Sequence, residues 1–273
     1  YERGAIKLSD LAQSESSLAD AKAKFIRAEN NLAVNEKDFE NIIGYLPKNI
    51  KEIDNLDLNL PTNLNETLNL ALINNPELII AKLNFQKSKH LLKGAAEKFA
   101  PKASVSFEVS ENEDVSSTIS EREQSQFEAK VEFPLYSGGK NYSFYKEKKA
   151  LFISSELEYE NKQNETKKNA TNVWSEFLLK KSELDLAKAQ LQAAEIAYEG
   201  IIQEYENGSR DTLDVLNSRS LLLIARLNFA DIEKDEIVSR FKLLKVTGNL
   251  TSLYLKLETK QINPKTNWIR HIF

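Results

Sequence analysis

Catalytic and metal chemistry have little to work with in this chain of 273 residues. Its histidines, His90 and His271, stand far apart without a neighbouring ligand pattern, so packing or surface roles are expected for both. Cysteine is absent, which removes thiolate nucleophiles, disulfides and Cys-ligated metal sites together. No P-loop, dinucleotide fingerprint, HExxH pair or nucleophile elbow occurs. No catalytic residue, cofactor or metal is therefore expected, and the chain reads as a non-enzyme. What stands out is a phrase used twice, YERGAIKLSDLAQSES from Tyr1 and YENGSRDTLDVLNSRS from Tyr205. Each copy holds a glycine, Gly4 or Gly208, able to take the positive φ of a chain reversal. Each also holds an aspartate, Asp10 or Asp214, near the start of the next helix, where a carboxylate can cap amides and oppose the helix dipole.

The match continues at the same offset without a gap. Leu18 aligns with Leu222, Ala21 with Ala225, Phe25 with Phe229, Glu29 with Glu233, Val34 with Val238, and Gly44 with Gly248. Both copies read as turn, long helix, glycine stop. The period is too long for a solenoid unit and predicts a duplicated domain, of which the first copy is represented by its last helix. The chain opens on Tyr rather than Met and is expected to be a fragment or a processed product.

The elements that carry these turns have clear periods. In the first helix Leu11, Leu18, Phe25, Leu32 and Phe39 recur every seven residues, as in a coiled coil. Gly44 and Pro47 end it, and residues 45–66, rich in Asn, Leu and Pro, read as a linker. Helical patterns resume over 67–101, with a restart at Pro76. The period then changes to two. Ala103, Val105, Phe107 and Val109 alternate with polar residues, as do Phe127, Ala129, Val131 and Phe133, which predicts two strands with one apolar face each. The polar stretch between them, Ser110–Ser125, reads as an exposed loop within a hairpin unit spanning 102–135. Pro134, Gly138 and Gly139 mark a strand-to-helix turn. A very long helix over 136–204 follows, with a seam at Phe177, Leu184, Leu191, Tyr198 and Tyr205 and companions Ala187, Ala194 and Ile201. After the tip turn, 205–248 carries Leu216, Leu223, Ala230, Ile237 and Leu244 every seven residues, and 249–273 forms a tail. The expected class is mainly α, with long coiled-coil helices and a small antiparallel β part.

A net charge of −4 and basic clusters set among acids argue against nucleic acid as a partner. No stretch approaches the roughly 20 apolar residues of a spanning helix, which leaves a transmembrane β-barrel open.

The order of elements resembles the TolC-type outer-membrane efflux proteins of Gram-negative bacteria. VEFPLYSGGK at Val131–Lys140 and YENGSRDTLDVLNSRSLL at Tyr205–Leu222 carry the resemblance, which covers essentially the whole chain. It implies a homotrimer whose subunits share an outer-membrane β-barrel, in contact with lipid, and a long periplasmic α-barrel. Residues 1–44 would be the first repeat's tip turn and returning helix, and 45–66 and 249–273 would lie in an equatorial band. The implied function is a channel-tunnel subunit of a tripartite efflux pump or type I secretion system. Its partners would be a periplasmic adaptor (membrane fusion protein) and an inner-membrane transporter.

The resemblance also assigns tip roles. Asp214 aligns with an aspartate ringing the narrowest part of the pore. The family's second aspartate position is Asn217 here, which implies a weaker constriction field and less cation block. Arg210 aligns with a tip arginine expected to bond Ser9 and Asp10 of the other turn, with Tyr205 in the same network. Ile6 stands opposite Arg210 in the first copy, so only one turn supplies the cation of this latch. A soluble coiled-coil scaffold or adaptor protein is the main alternative, and it leaves the amphipathic strands and PLYSGG unexplained.

Overall fold

The structure is a computed structural model and describes residues 8–48, 58–116 and 119–258. Gly4, the middle of the 45–66 linker and the tail beyond residue 258 lie outside these, as do the side chains of Ser9 and Asp10. The elements run α1 (Leu8–Ile43), α2 (Leu64–Asn74), α3 (Pro76–Ala96), a short 3-10 turn at Glu97–Phe99, β1 (Lys102–Ser116), β2 (Ile119–Glu132), α4 (Lys140–Glu206) and α5 (Thr212–Val246). The fold is mainly α with one antiparallel strand pair, the class the sequence predicts. At about 1.5 Å per residue, α4 alone is roughly 100 Å long. Gly200 does not interrupt it.

The chain divides into two units, Tyr1–Leu60 with Glu176–Arg240, and Pro61–Ser175 with Phe241–Phe273. In the second, α3 lies antiparallel to the early part of α4. Phe85 stacks on Phe152 and Tyr159 at ring separations of 5.4 and 5.9 Å, and Lys162 reaches Glu77 at 2.6 Å. That hydrogen bond is the largest influence on both groups, holding Glu77 below and Lys162 above their ordinary pKa values. Ser88 and Ser155 share a hydroxyl hydrogen bond between the same helices. Local chemistry sets the starts of α2 and α3. Asn63 accepts the amide of Glu66, whose carboxylate accepts in turn from the amide and hydroxyl of Thr62. Asn75 accepts from the amides of Glu77 and Leu78 ahead of Pro76, and its own amide group donates to the carbonyl of Val246 at 3.0 Å. Leu243, Leu244, Ala71, Leu78 and Thr247 are buried in this unit.

β1 and β2 pair in register from Lys102 opposite Glu132 to Glu113 opposite Glu121, and rejoin at Ser116 opposite Ile119 after an irregularity. The stretch Ser110–Ser125, expected as a loop, is therefore largely strand. Its polar residues hide the strand from a pattern reading, because an antiparallel ladder needs only backbone groups when neither face is apolar. Closer to the base, Val105, Phe107, Phe127 and Val131 share one face and stay 69–74% exposed.

In the first unit, α4 and α5 form an antiparallel pair, linked by Arg226 to Glu195 at 3.0 Å, Asn228 to Gln190 at 3.3 Å and Lys180 to Asp235 at 3.4 Å. The α4 seam matches the expectation at Phe177 and Ala187, which are buried, and at Leu184, Leu191, Ala194, Tyr198 and Ile201, which are half-buried. Tyr205 at the end of the seam is 42% exposed. The α5 seam matches in part: Leu244 is buried and Leu216 and Ile237 are half-buried, while Leu223 and Ala230 are exposed. A second buried or half-buried stripe runs through Ser218, Leu222, Ala225, Phe229, Ile232, Glu236 and Ser239, and continues to Leu243 and Val246 in the second unit. Its spacing alternates four and three, the stripe of a coiled coil, and Arg226, Asn228 and Asp235 lie on its flanks. Choosing leucines by bulk misplaces the middle of the helix, where Leu222, Ala225 and Phe229 are covered and Leu223 and Ala230 are not. The expected seam of α1 is uncovered: Leu18, Phe25 and Leu32 are 56–68% exposed.

Glu236 is the charged member of the α5 stripe, at 2% exposure, and bonds Arg240 at 2.7 Å. The first copy has Leu32 at the aligned position. Glu236→Leu is expected to leave the thermal midpoint unchanged or raise it, whereas Arg240→Ala, which strands a buried carboxylate, should cost roughly 3 kcal/mol. Glycines separate in the same assay. Gly248 has φ +72, and a Cβ there would lie 2.2 Å from the carbonyl oxygen of Asn74. Gly248→Ala should therefore destabilise by roughly 2 kcal/mol or more. Gly200 sits in open space within α4, so Gly200→Ala should stabilise by about 0.5–1 kcal/mol.

Candidate functional site: the α4–α5 tip and the strand-to-helix junction

The tip turn is built by the end of one helix and the start of the next. Gly208 takes φ +75, the amide of Ser209 donates to the carbonyl of Glu204 and that of Gly208 to Tyr205, both at 2.9 Å. This is the glycine-terminated helix stop in which the reversing residue needs no Cβ. α5 restarts under a side-chain cap: Asp211 accepts the amide of Asp214 at 2.9 Å. The capping carboxylate is thus Asp211, and Asp214, in the first turn, is free for a different contact.

That contact is Arg210. Its Nε donates to Glu204 at 2.7 Å and its NH1 nitrogen lies 3.6 Å from Asp214, so one guanidinium ties the last turn of α4 to the first turn of α5. The hydrogen bond to Glu204, then the charges of Glu204 and Asp214, hold Arg210 above its ordinary pKa. All three groups remain accessible to water, with side chains 39–52% exposed. Such a pair is easily exchanged for another. Asn217 is exposed and lies three residues after Asp214, on the same side of α5. Ser9 and Asp10, the expected partners of Arg210, fall in the first turn of α1.

Two members of this cluster, Glu204 and Asp211, are absent from the sequence reading. Asp211 carried a usable signal, since Asp immediately before a helical run is a preferred cap and the first copy has Lys7 there. Glu204 carried none, because nothing in a heptad pattern distinguishes it from other exposed glutamates.

At the other end of α4, in the second unit, Pro134 leaves β2 and Gly138 and Gly139 take φ +61 and +81. The amide of Lys140 donates to Ser137 at 3.1 Å, and Asn141 donates to the carbonyl of Lys98 at 3.3 Å, tying the junction to the end of α3. The expected bend occurs where the glycine pair stands. No helix among the described residues is long and apolar enough to cross a membrane.

Long antiparallel helices joined to an apolar-faced strand pair define a TolC-like channel-tunnel fold. The chain matches the CmeC outer membrane channel of Campylobacter jejuni at a TM-score of 0.74 and 18% identity, over 99% of this chain and 57% of that one. It also matches the open-state MtrE outer membrane channel of Neisseria gonorrhoeae at 0.72 and 14%, over 92% and 58%. The family model for outer membrane efflux proteins covers residues 67–249, and the chain belongs to that family. The curated outer membrane efflux protein BepC of Brucella suis is 23% identical over 260 residues, 95% of this chain and 57% of the relative. The chain thus spans a little over half the length of these relatives.

Removing the cap tests this local account. Asp211→Ala should cost about 1 kcal/mol at the start of α5, read as roughly fivefold faster hydrogen exchange of the Leu213 and Asp214 amides, with exchange in the middle of α5 unchanged.

Proposed function

We propose that the chain is part of a trimeric outer-membrane channel-tunnel subunit of a tripartite efflux pump or type I secretion system. The observation that carries this is one continuous piece of chain. An amphipathic strand pair with a wholly exposed apolar face passes through a glycine turn into a helix 67 residues long. The strand face suits lipid, and each strand supplies backbone groups that need neighbouring strands to close a barrel. The helices suit a barrel of their own kind. α5 buries one stripe beside α4 and leaves Leu221, Leu223, Ile224 and Leu227 exposed along others, as a helix does when a second neighbour comes from another subunit.

In this reading most of the chain lies in the periplasm, with 45–66 and 249–273 in the equatorial band and the α4–α5 turn at the periplasmic tip. Asp214 and Asn217 line the constriction, three copies of each around the pore axis. Arg210 works as a latch whose competing partners are Glu204 and Asp214 of its own hairpin and Ser9 and Asp10 of the other turn, with Tyr205 alongside. Gly4 and Gly208 form the two tip turns. An adaptor and an inner-membrane transporter docking at the tip would shift Arg210 between these partners and open the gate like an iris. Because the groups are solvated, the exchange is cheap in free energy and responsive to salt.

Planar-bilayer recording of the intact protein tests the gate. Arg210→Ser should raise single-channel conductance, and Asn217→Asp should increase block by divalent cations; unchanged conductance in Arg210→Ser would overturn the latch. In cells, loss of the gene should raise accumulation of an efflux dye, and normal accumulation together with normal export by type I secretion would overturn the transport role.

A further inference from the structure

Below the apolar band of the hairpin, the chain gathers lysines and aromatics in a way the channel reading leaves unused. Lys98, Lys102, Lys140, Lys146, Lys148 and Lys149 surround the junction of α3, the strands and α4. Nearby carboxylates are fewer: Glu97, Glu132 and Glu147, of which Glu132 is paired with Lys130 and Glu147 with Lys148. Lys102, Lys140 and Lys149 are exposed and have no ion-pair partner among the described residues. Lys98 sits 3.7 Å over the ring of Phe144, with Lys148 at 4.9 Å from the same ring, and Lys146 lies 4.6 Å over Tyr142. These contacts hold the three ammonium groups against ring faces at the junction. Beside them Leu135 and Tyr136 are 87% and 88% exposed, on the turn that directly continues the apolar strand face.

The opposite end of the hairpin has the opposite sign. That part of the chain carries Glu111, Glu113, Asp114, Glu121 and Glu123 and a single arginine, Arg122. The apolar band therefore separates an acidic rim from a basic one.

We propose that the basic rim is a binding surface for anionic phospholipid headgroups of the periplasmic leaflet, phosphatidylglycerol being the probe of choice. The proposal rests on the membrane reading of the hairpin. Exposed aromatics adjoining an apolar band settle at headgroup depth, and lysines there extend toward phosphate while their stems stay against apolar surface. An excess of unpaired lysines at that depth discriminates a lipid with net negative charge from a zwitterionic one.

Lipid selectivity measured with spin-labelled phospholipids decides the matter. In phosphatidylcholine bilayers containing the intact protein, phosphatidylglycerol should be motionally restricted several-fold more strongly than phosphatidylcholine, by about fivefold or more. The combined Lys102→Gln, Lys140→Gln and Lys149→Gln variant should bring the two lipids within about twofold, as should high salt. A Lys167→Gln and Lys168→Gln control, on the exposed surface of α4 away from the junction, should keep the preference. Equal restriction in the unaltered protein, or a preference that survives the triple change, overturns the proposal while leaving the channel reading intact. Failure to restrict phosphatidylcholine as well overturns the membrane reading itself.

Discussion

Everything in this protein answers to the length of α4. A helix of 67 residues carries an apolar seam far longer than any compact core, and isolated it would expose that seam to water. It is covered in two stretches. α3 runs antiparallel along the early part, with Phe85 between Phe152 and Tyr159, and α5 runs back along the later part, with charged and amide pairs at the flanks of the seam. The turns at each end of α4 therefore have to be sharp. Glycines at positive φ supply them: Gly208 at the tip, and Gly138 with Gly139 at the strand junction.

The same constraint explains why the tip carries charge. Once Gly208 has ended one helix and Asp211 has begun the next, the last turn of α4 and the first turn of α5 lie within reach of one side chain. Arg210 satisfies carboxylates of both, Glu204 and Asp214, while all three stay wet. Strength is not the property selected here. A solvated guanidinium between several carboxylates is a group that can change partners at little cost, as the proposed gate requires.

Much of this was legible in the residues, and the limits of legibility are instructive. The internal repeat located the turn at Gly208 and both glycine stops, Gly44 and Gly248, while the turn expected at Gly4 lies outside the described residues. The α4 seam was readable because its bulk and its burial coincide at Phe177, Leu184 and Leu191. On α5 they coincide at Leu244 and partly at Leu216 and Ile237, but not at Leu223 and Ala230, where the neighbouring stripe is the buried one. The repeat held the correction: Leu18, Phe25 and Phe39 align with Leu222, Phe229 and Leu243, all within the stripe that the structure buries. The outer half of the strand pair was missed because its residues are polar on both faces, and Glu204 because an exposed glutamate on a helix has no local signature.

By itself the sequence determined the period of each element, the positions where the backbone must reverse, and the duplication that relates α1 to α5. These are local properties, decided by side-chain spacing and by the conformational freedom of glycine. Tertiary structure alone decided which of two apolar stripes on α5 turns inward, how far the strands extend, that Asp211 rather than Asp214 caps α5, and which carboxylates hold Arg210. Those outcomes depend on how closely two helices approach and on which groups converge across a turn, quantities that one-dimensional spacing does not contain.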